Sequence, residues 1–209
     1  MRIDHLGDAA LVVTLGYSIN ARLNARVVEL AQRLRSVVGV ADVIASYGSA
    51  TIHYDPEAIS SERLRETVIQ LAPPMSARAQ ASAGRLHEIS VIYDGPDLEQ
   101  AAGALELSIR DLVDAFQAPT YSVFLIGFLP GTPYLGPLPS SLRLPRRSNP
   151  RVRVPPGSVA IAGRQATVYT WPSPGGWHLL GRTTLQLFDA DANPPNRLQA
   201  GDRVKFVSS

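Results

Sequence analysis

Beyond Ala118 no stretch of the chain repeats its apolar residues at helical spacing. Short β-rich runs stand there instead: "YSVFLIGF", "SVAIAG", "ATVYTW", "TTLQLF" and "DRVKFVS", separated by Gly and Pro. Most of the 17 prolines lie in this part. Each locks φ and removes a backbone donor, so long helices are ruled out and the loops are stiff. Many short strands with such punctuation predict a β-barrel or sandwich.

The part before it has another character. "ALVVTLG", ending at Gly16, is a short β-rich run. Ser18 is placed to cap a helix, and Ile19, Leu23, Val27, Leu30, Leu34 and Val38 then recur at spacings of three and four. Such spacing draws one apolar stripe along an amphipathic helix, with Gly39 as its stop. "VADVIASYG" and "SATIHYDP" read as a hairpin around Gly48-Ser49, and Ser60-Ser61 opens a second helix that ends before Pro73-Pro74. The order β-α-β-β-α predicts a plait-like α/β sandwich, two helices on one face of a small antiparallel sheet. "PPMSARAQASAGR" (Pro73 to Arg85) has the small, polar, turn-rich composition of a linker. The expected organisation is α+β: a domain over 1–85 with its linker at 73–85, then a β-rich domain over 86–209. The second opens with the strand-like "LHEISVIYDG" and two short helices capped by Asp97 and Ser108.

Charge separates the same halves. Residues 1–118 carry 10 Arg and 15 Asp/Glu, whereas residues 119–209 carry 9 Arg, 1 Lys and 3 Asp. The second half therefore suits an anionic ligand or an acidic partner surface. A hydrophobic content of 45% with 18% charged residues fits a soluble globular chain. No apolar run reaches the roughly 18 residues of a membrane span, and the N-terminus does not read as a signal peptide. With no cysteine, disulfides and Cys-based zinc sites are excluded, in keeping with a cytoplasmic setting. The single lysine, Lys205, follows no glycine-rich turn, which excludes a P-loop.

No motif supplies a catalytic triad. Ser158 follows Gly157 at the start of an expected strand, and the four histidines are scattered, without a local metal pair. Three segments carry the remaining candidates. The basic run Arg143, Arg146, Arg147, Arg151 and Arg153 is broken by prolines into an extended segment. It is either a carboxylate or phosphate reader or a solvated edge. It lacks the interleaved aromatics of a nucleic-acid surface. In "SPGGWHLLGRT", Gly175-Gly176 beside Trp177 makes either a pocket with backbone donors or a hairpin turn over a core tryptophan. "GFLPGTPYLG" (Gly127 to Gly136) cannot be a central strand throughout, and is either a structural corner or a pocket wall.

Taken together, these three segments, with "LGDAALVVTLG", "YGSATIHYDP", "YDGPDLEQAA" and "GDRVKF", closely resemble one family. It is called KipI, allophanate hydrolase subunit 1 or the 5-oxoprolinase B-subunit family. The resemblance covers nearly the whole chain. It implies an N-terminal α+β domain and a cyclophilin-like β-barrel. It implies one component of an ATP-dependent 5-oxoprolinase-like amidohydrolase, inactive alone. Its partners would be a KipA-type protein, the C-subunit of that enzyme, and a third, LamB/YcsF-type protein. A regulator of the histidine-kinase-inhibitor type and a component of urea or allophanate metabolism are the alternatives it carries. Prolyl isomerisation rests on the barrel alone, which is weak warrant. By matching positions, Arg146, Arg151 and Gln165 are the implied substrate- or anion-binding residues. Pro130, Gly131, Thr132, Tyr134, Gly175, Gly176 and Trp177 are the implied pocket wall. No catalytic residue and no metal site are implied in this chain. It departs from the usual pattern at Thr132 (Phe), Phe116 (His) and Ala166 (Thr).

Overall fold

A computed structural model describes residues 1–73 and 84–209. The chain divides into two compact units, Met1–Ala83 and Gly84–Ser209. Most of the expected linker at 73–85 lies outside the described residues.

The first unit runs β1 (Arg2–His5), β2 (Ala10–Thr14), α1 (Ala21–Leu34), β3 (Val40–Ala45), β4 (Ser49–Tyr54) and α2 (Ser61–Leu71). Its sheet is antiparallel throughout, in the order β1-β2-β4-β3. Strand β1 is an addition to the expected β-α-β-β-α order. "RIDH" is short and has one apolar residue, Ile3, so it carries no apolar alternation. The cap of α1 is Asn20, not Ser18: its side-chain oxygen accepts from the Arg22 and Leu23 backbone N–H groups. The helix closes at Leu34, so Ile19 and Val38 fall outside it, and Val38 is exposed. Between them Val27, Leu30 and Leu34 are buried as the stripe requires. Ser60 caps α2 as expected, accepting from Arg63 N–H.

The second unit runs β5 (Leu86–Val91), α3 (Leu98–Ala104), α4 (Ile109–Gln117), β6 (Tyr121–Ile126) and β7 (Pro133–Gly136). Then come β8 (Arg151–Val154), β9 (Ser158–Ala162), β10 (Gln165–Val168), β11 (Ser173–Gly175), β12 (His178–Arg182) and β13 (Arg203–Ser208). Seven strands form one sheet in the order β12-β9-β10-β7-β6-β13-β5. Its two ends meet at a bridge between Ile92 and Arg182, which exchange backbone bonds of 2.9 Å in both directions. The sheet is thereby nearly closed into a barrel. Its interior holds the main core, including Ile89, Phe116, Tyr121, Leu135, Ile161 and Phe206. Strands β8 and β11 pair apart from it.

One expected strand is absent. "TTLQLF" is irregular, apart from an isolated bridge from Phe188 to Asn196. Its first residue bonds to the loop before β9, through Thr183 N–H to the Gly157 carbonyl, and not to a ladder. Among the described residues no helix is long and apolar enough to cross a membrane.

Candidate functional site

Strands β6 and β7 form a hairpin whose loop is the first half of "GFLPGTPYLG". Gly127 N–H donates to the Thr132 carbonyl and Thr132 N–H to the Leu129 carbonyl. Gly131 has φ +77, and a Cβ there would stand 2.5 Å from the Phe188 Cβ, so only glycine fits. Phe128 also has a positive φ, +72, and is 64% exposed. That conformation is strained for a bulky residue, and it sits at the edge of a cavity.

The cavity has about 180 Å³ and is lined by Phe128, Thr132, Tyr134, Arg146, Thr167, Tyr169, Pro174, Gly175, Gly176 and Trp177. It is smaller than the sites that take drug-sized ligands, so it suits a small metabolite. Trp177 is both a pocket wall and a core residue. It packs with Val154, Ala160, Ala162, Tyr169 and Leu179, and Tyr134 meets it edge-on at 5.8 Å between ring centroids. Gly175 brings the backbone against Tyr169, whose hydroxyl lies 2.3 Å from where a Cβ would stand.

Arg146 lies with its guanidinium carbon 5.9 Å from the Trp177 ring centroid. This cation–π contact holds the side chain over the wall for about 0.5–1 kcal/mol at an exposed position. No carboxylate pairs with Arg146 among the described residues, and no acidic side chain lines the cavity. The site therefore offers an uncompensated cation to an anion. Burial raises the pKa values of the Tyr134 and Tyr169 hydroxyls. Arg146 partly offsets this at Tyr134, and the Trp177 backbone N–H does so at Tyr169. Both remain protonated donors at neutral pH.

Arg151 has a different neighbour. It forms a two-pronged pair with Asp97, at 2.8 and 2.7 Å, and Arg147 reaches the same carboxylate at 2.5 Å. Leu179 N–H adds a fourth bond at 2.8 Å. Asp97 is 2% exposed. Burial alone would raise its pKa, but Arg151, Leu179 N–H and Arg147 outweigh it and hold the carboxyl below its ordinary value. Asp97 occupies the capping position of α3 yet its side chain makes no cap bond. The expected cap is in fact a clamp that ties α3 to the basic segment and β12. Ser108 does cap α4, accepting from Asp111 N–H.

The cavity thus gathers Arg146, Thr132, Tyr134, Gly175, Gly176 and Trp177. Arg151, Gln165, Pro130 and Gly131 lie outside its lining. Gln165 opens β10, opposite Ala162. Four lining residues, Phe128, Thr167, Tyr169 and Pro174, carry no signal of their own in the sequence. Phe128 and Pro174 lie within segments that do, and only the pairing of β7 with β10, Thr167 opposite Tyr134, brings in the other two. Phe116 is fully buried, stacked on Phe206 at 4.8 Å and packed against Tyr121. Its side chain belongs to the core, so the departure there does not alter the cavity. Ala166 is likewise buried, in β10.

Fold and site together define a class: a small α+β unit and a nearly closed barrel unit whose cavity is lined by a cation and aromatic residues. The chain belongs to the carboxyltransferase-domain family, subdomains C and D, which matches residues 1–198. It is 37% identical to the B-subunit of 5-oxoprolinase from Bacillus subtilis (strain 168), over 99% of this chain and 92% of that protein. It is also 37% identical to the crystal structure of TTHA0988, with a TM-score of 0.85 over 96% of this chain, and spans 40% of that longer chain. The urea amidolyase of K. lactis shares the fold, with a TM-score of 0.73 at 17% identity, over 99% of this chain and 15% of that one.

Proposed function

We propose that this chain is the B-type component of an ATP-dependent 5-oxoprolinase, converting 5-oxoproline to glutamate in the cytoplasm. It acts only in complex with a KipA-type (C-subunit) partner and a third, LamB/YcsF-type protein. Similarity to the 5-oxoprolinase B-subunit over almost the whole chain supports the reading. The observation that carries it to a site is Arg146, held over Trp177 in a small cavity with no acidic lining. A guanidinium so placed suits the substrate carboxylate, or a phosphorylated form of the substrate.

The ring amide of 5-oxoproline is a poor electrophile. Transfer of a phosphoryl group from ATP to its carbonyl oxygen creates a leaving group, and the charge that develops needs cations and N–H donors nearby. This chain brings a cation and tyrosine hydroxyls to its cavity, but no carboxylate, histidine or lysine. A base and a nucleotide site must then come from the partners, and the chain alone is inactive.

The test is co-expression of the three proteins, with 5-oxoproline-dependent ATP hydrolysis as the readout. The wild-type complex is expected to turn over and the isolated chain not. Arg146→Ala is expected to lower turnover at least tenfold while the three proteins still co-purify. An inactive wild-type complex would overturn the enzymatic reading; full activity of Arg146→Ala would remove the site.

A further inference from the structure

The donor and acceptor roles in the cavity follow from the hydrogen bonds around it. Thr170 Oγ1 lies 2.8 Å from the Pro130 carbonyl. A carbonyl only accepts, so the Thr170 hydrogen is committed there. The 2.7 Å contact between Thr132 Oγ1 and Thr170 Oγ1 must then run from Thr132 to Thr170. Thr132 has thus spent its hydrogen. Thr167 has spent its own on the Pro133 carbonyl, at 2.7 Å. Both hydroxyls belong to residues lining the cavity, and both can only accept from a ligand.

The Tyr169 oxygen is the opposite case. Burial keeps it protonated, and its hydrogen has no acceptor among the described residues. Arg146 likewise only donates. The cavity therefore combines one charged donor, Arg146, and the neutral hydroxyls of Tyr134 and Tyr169 with two fixed acceptors. Its small volume confines the complementary ligand to about one ring and its substituents.

We propose that Thr132 and Thr167 read the ring N–H of a small cyclic amide acid, with Arg146 on its carboxylate and the Tyr169 hydroxyl on its ring carbonyl. This rests on the cavity being the 5-oxoproline site, and it goes further by naming the residues that select an amide. A ring of the same shape without the N–H leaves two buried acceptors unsatisfied. Desolvated polar groups left without partners are what makes such a site reject a near-isostere.

The experiment compares 5-oxoproline with 3-oxocyclopentanecarboxylate, its carbocyclic counterpart bearing a methylene in place of the ring N–H. Affinities for the co-expressed complex are measured by isothermal titration without ATP. The wild type is expected to bind the carbocycle at least tenfold more weakly. Thr167→Val and Thr132→Val are expected to narrow that gap by weakening 5-oxoproline alone, and Thr167→Ser to keep it. Equal wild-type affinities for both rings, with Arg146→Ala still weakening each, would overturn the amide readout and leave the 5-oxoproline site standing. Loss of neither ligand in Arg146→Ala, or no binding of either, would overturn both. The wild-type comparison needs no variant to fold.

Discussion

Arg146 and Arg147 are neighbours in sequence and opposites in the fold. Arg147 and Arg151 close on Asp97, where a buried carboxylate takes four hydrogen bonds. Arg146 lies over an aromatic wall with no anion beside it. The clamp is a finished electrostatic unit that fixes the segment in place. The cavity holds a cation without a carboxylate partner among the described residues, as the proposed ligand site requires. A run of arginines is therefore not one feature. Its members divide between those paired with a buried carboxylate and one that is not, and the counter-charge tells them apart.

The sharpest way to break this contrast is Asp97→Asn. It strands two guanidinium groups whose side chains are each 24% exposed. Removing one member of a largely buried pair costs about 3 kcal/mol, and the residual exposure of both arginines keeps the loss at the low end. Urea denaturation is expected to show the midpoint falling by that equivalent. A destabilisation below about 1 kcal/mol would mean that the clamp is ornamental.

Acid should act on the same carboxylate. The pKa of Asp97 is lower in the folded chain than the roughly 3.9 of an unfolded aspartate. Its contribution is therefore fully present above about pH 4 and lost as pH falls through the lower folded value. Thermal melts between pH 6 and pH 3 are expected to fall more steeply for the wild type than for Asp97→Asn below about pH 4. Parallel curves would assign acid sensitivity elsewhere.

The smallest expected effect is on the other side of the contrast. Arg146→Ala removes an exposed charge that makes no ion pair among the described residues. Its unfolding free energy is expected to stay within about 0.5 kcal/mol of wild type by denaturation. A loss as large as that of Asp97→Asn would erase the distinction between the two arginines.

Much of the fold is legible in the sequence because its signals are local. The apolar stripe of α1, the Ser60 and Ser108 caps and the β3–β4 hairpin each lie within a few residues of their cause. Expectation and structure part where a nearer or farther partner wins. Asn20 displaces Ser18 as the cap through two backbone bonds that composition does not reveal. "TTLQLF" has strand chemistry but no strand beside it to pair with. At the site, Thr132, Tyr134, Gly175, Gly176 and Trp177 are reached through the resemblance while Phe128 and Tyr169 are not, and the duty of Asp97 is not legible at all. Its arginines lie 50 and 54 residues away, and nothing local distinguishes a cap from a clamp. Thr167 escapes a reading of the sequence for a related reason: its place in the cavity comes from strand register.

The Ile92–Arg182 bridge has a consequence for assembly. An open sheet advertises its unpaired edge, and another chain can extend it by one strand. The barrel sheet is joined to itself there by two backbone bonds. At that point the sheet offers no free backbone edge to another protein. Among the described residues, β1 and β3 are the outer strands of the first unit's sheet. A partner meeting the barrel sheet at the bridge must recognise it by side chains and loops, which can be altered one residue at a time, whereas an unpaired strand edge invites recognition by backbone alone.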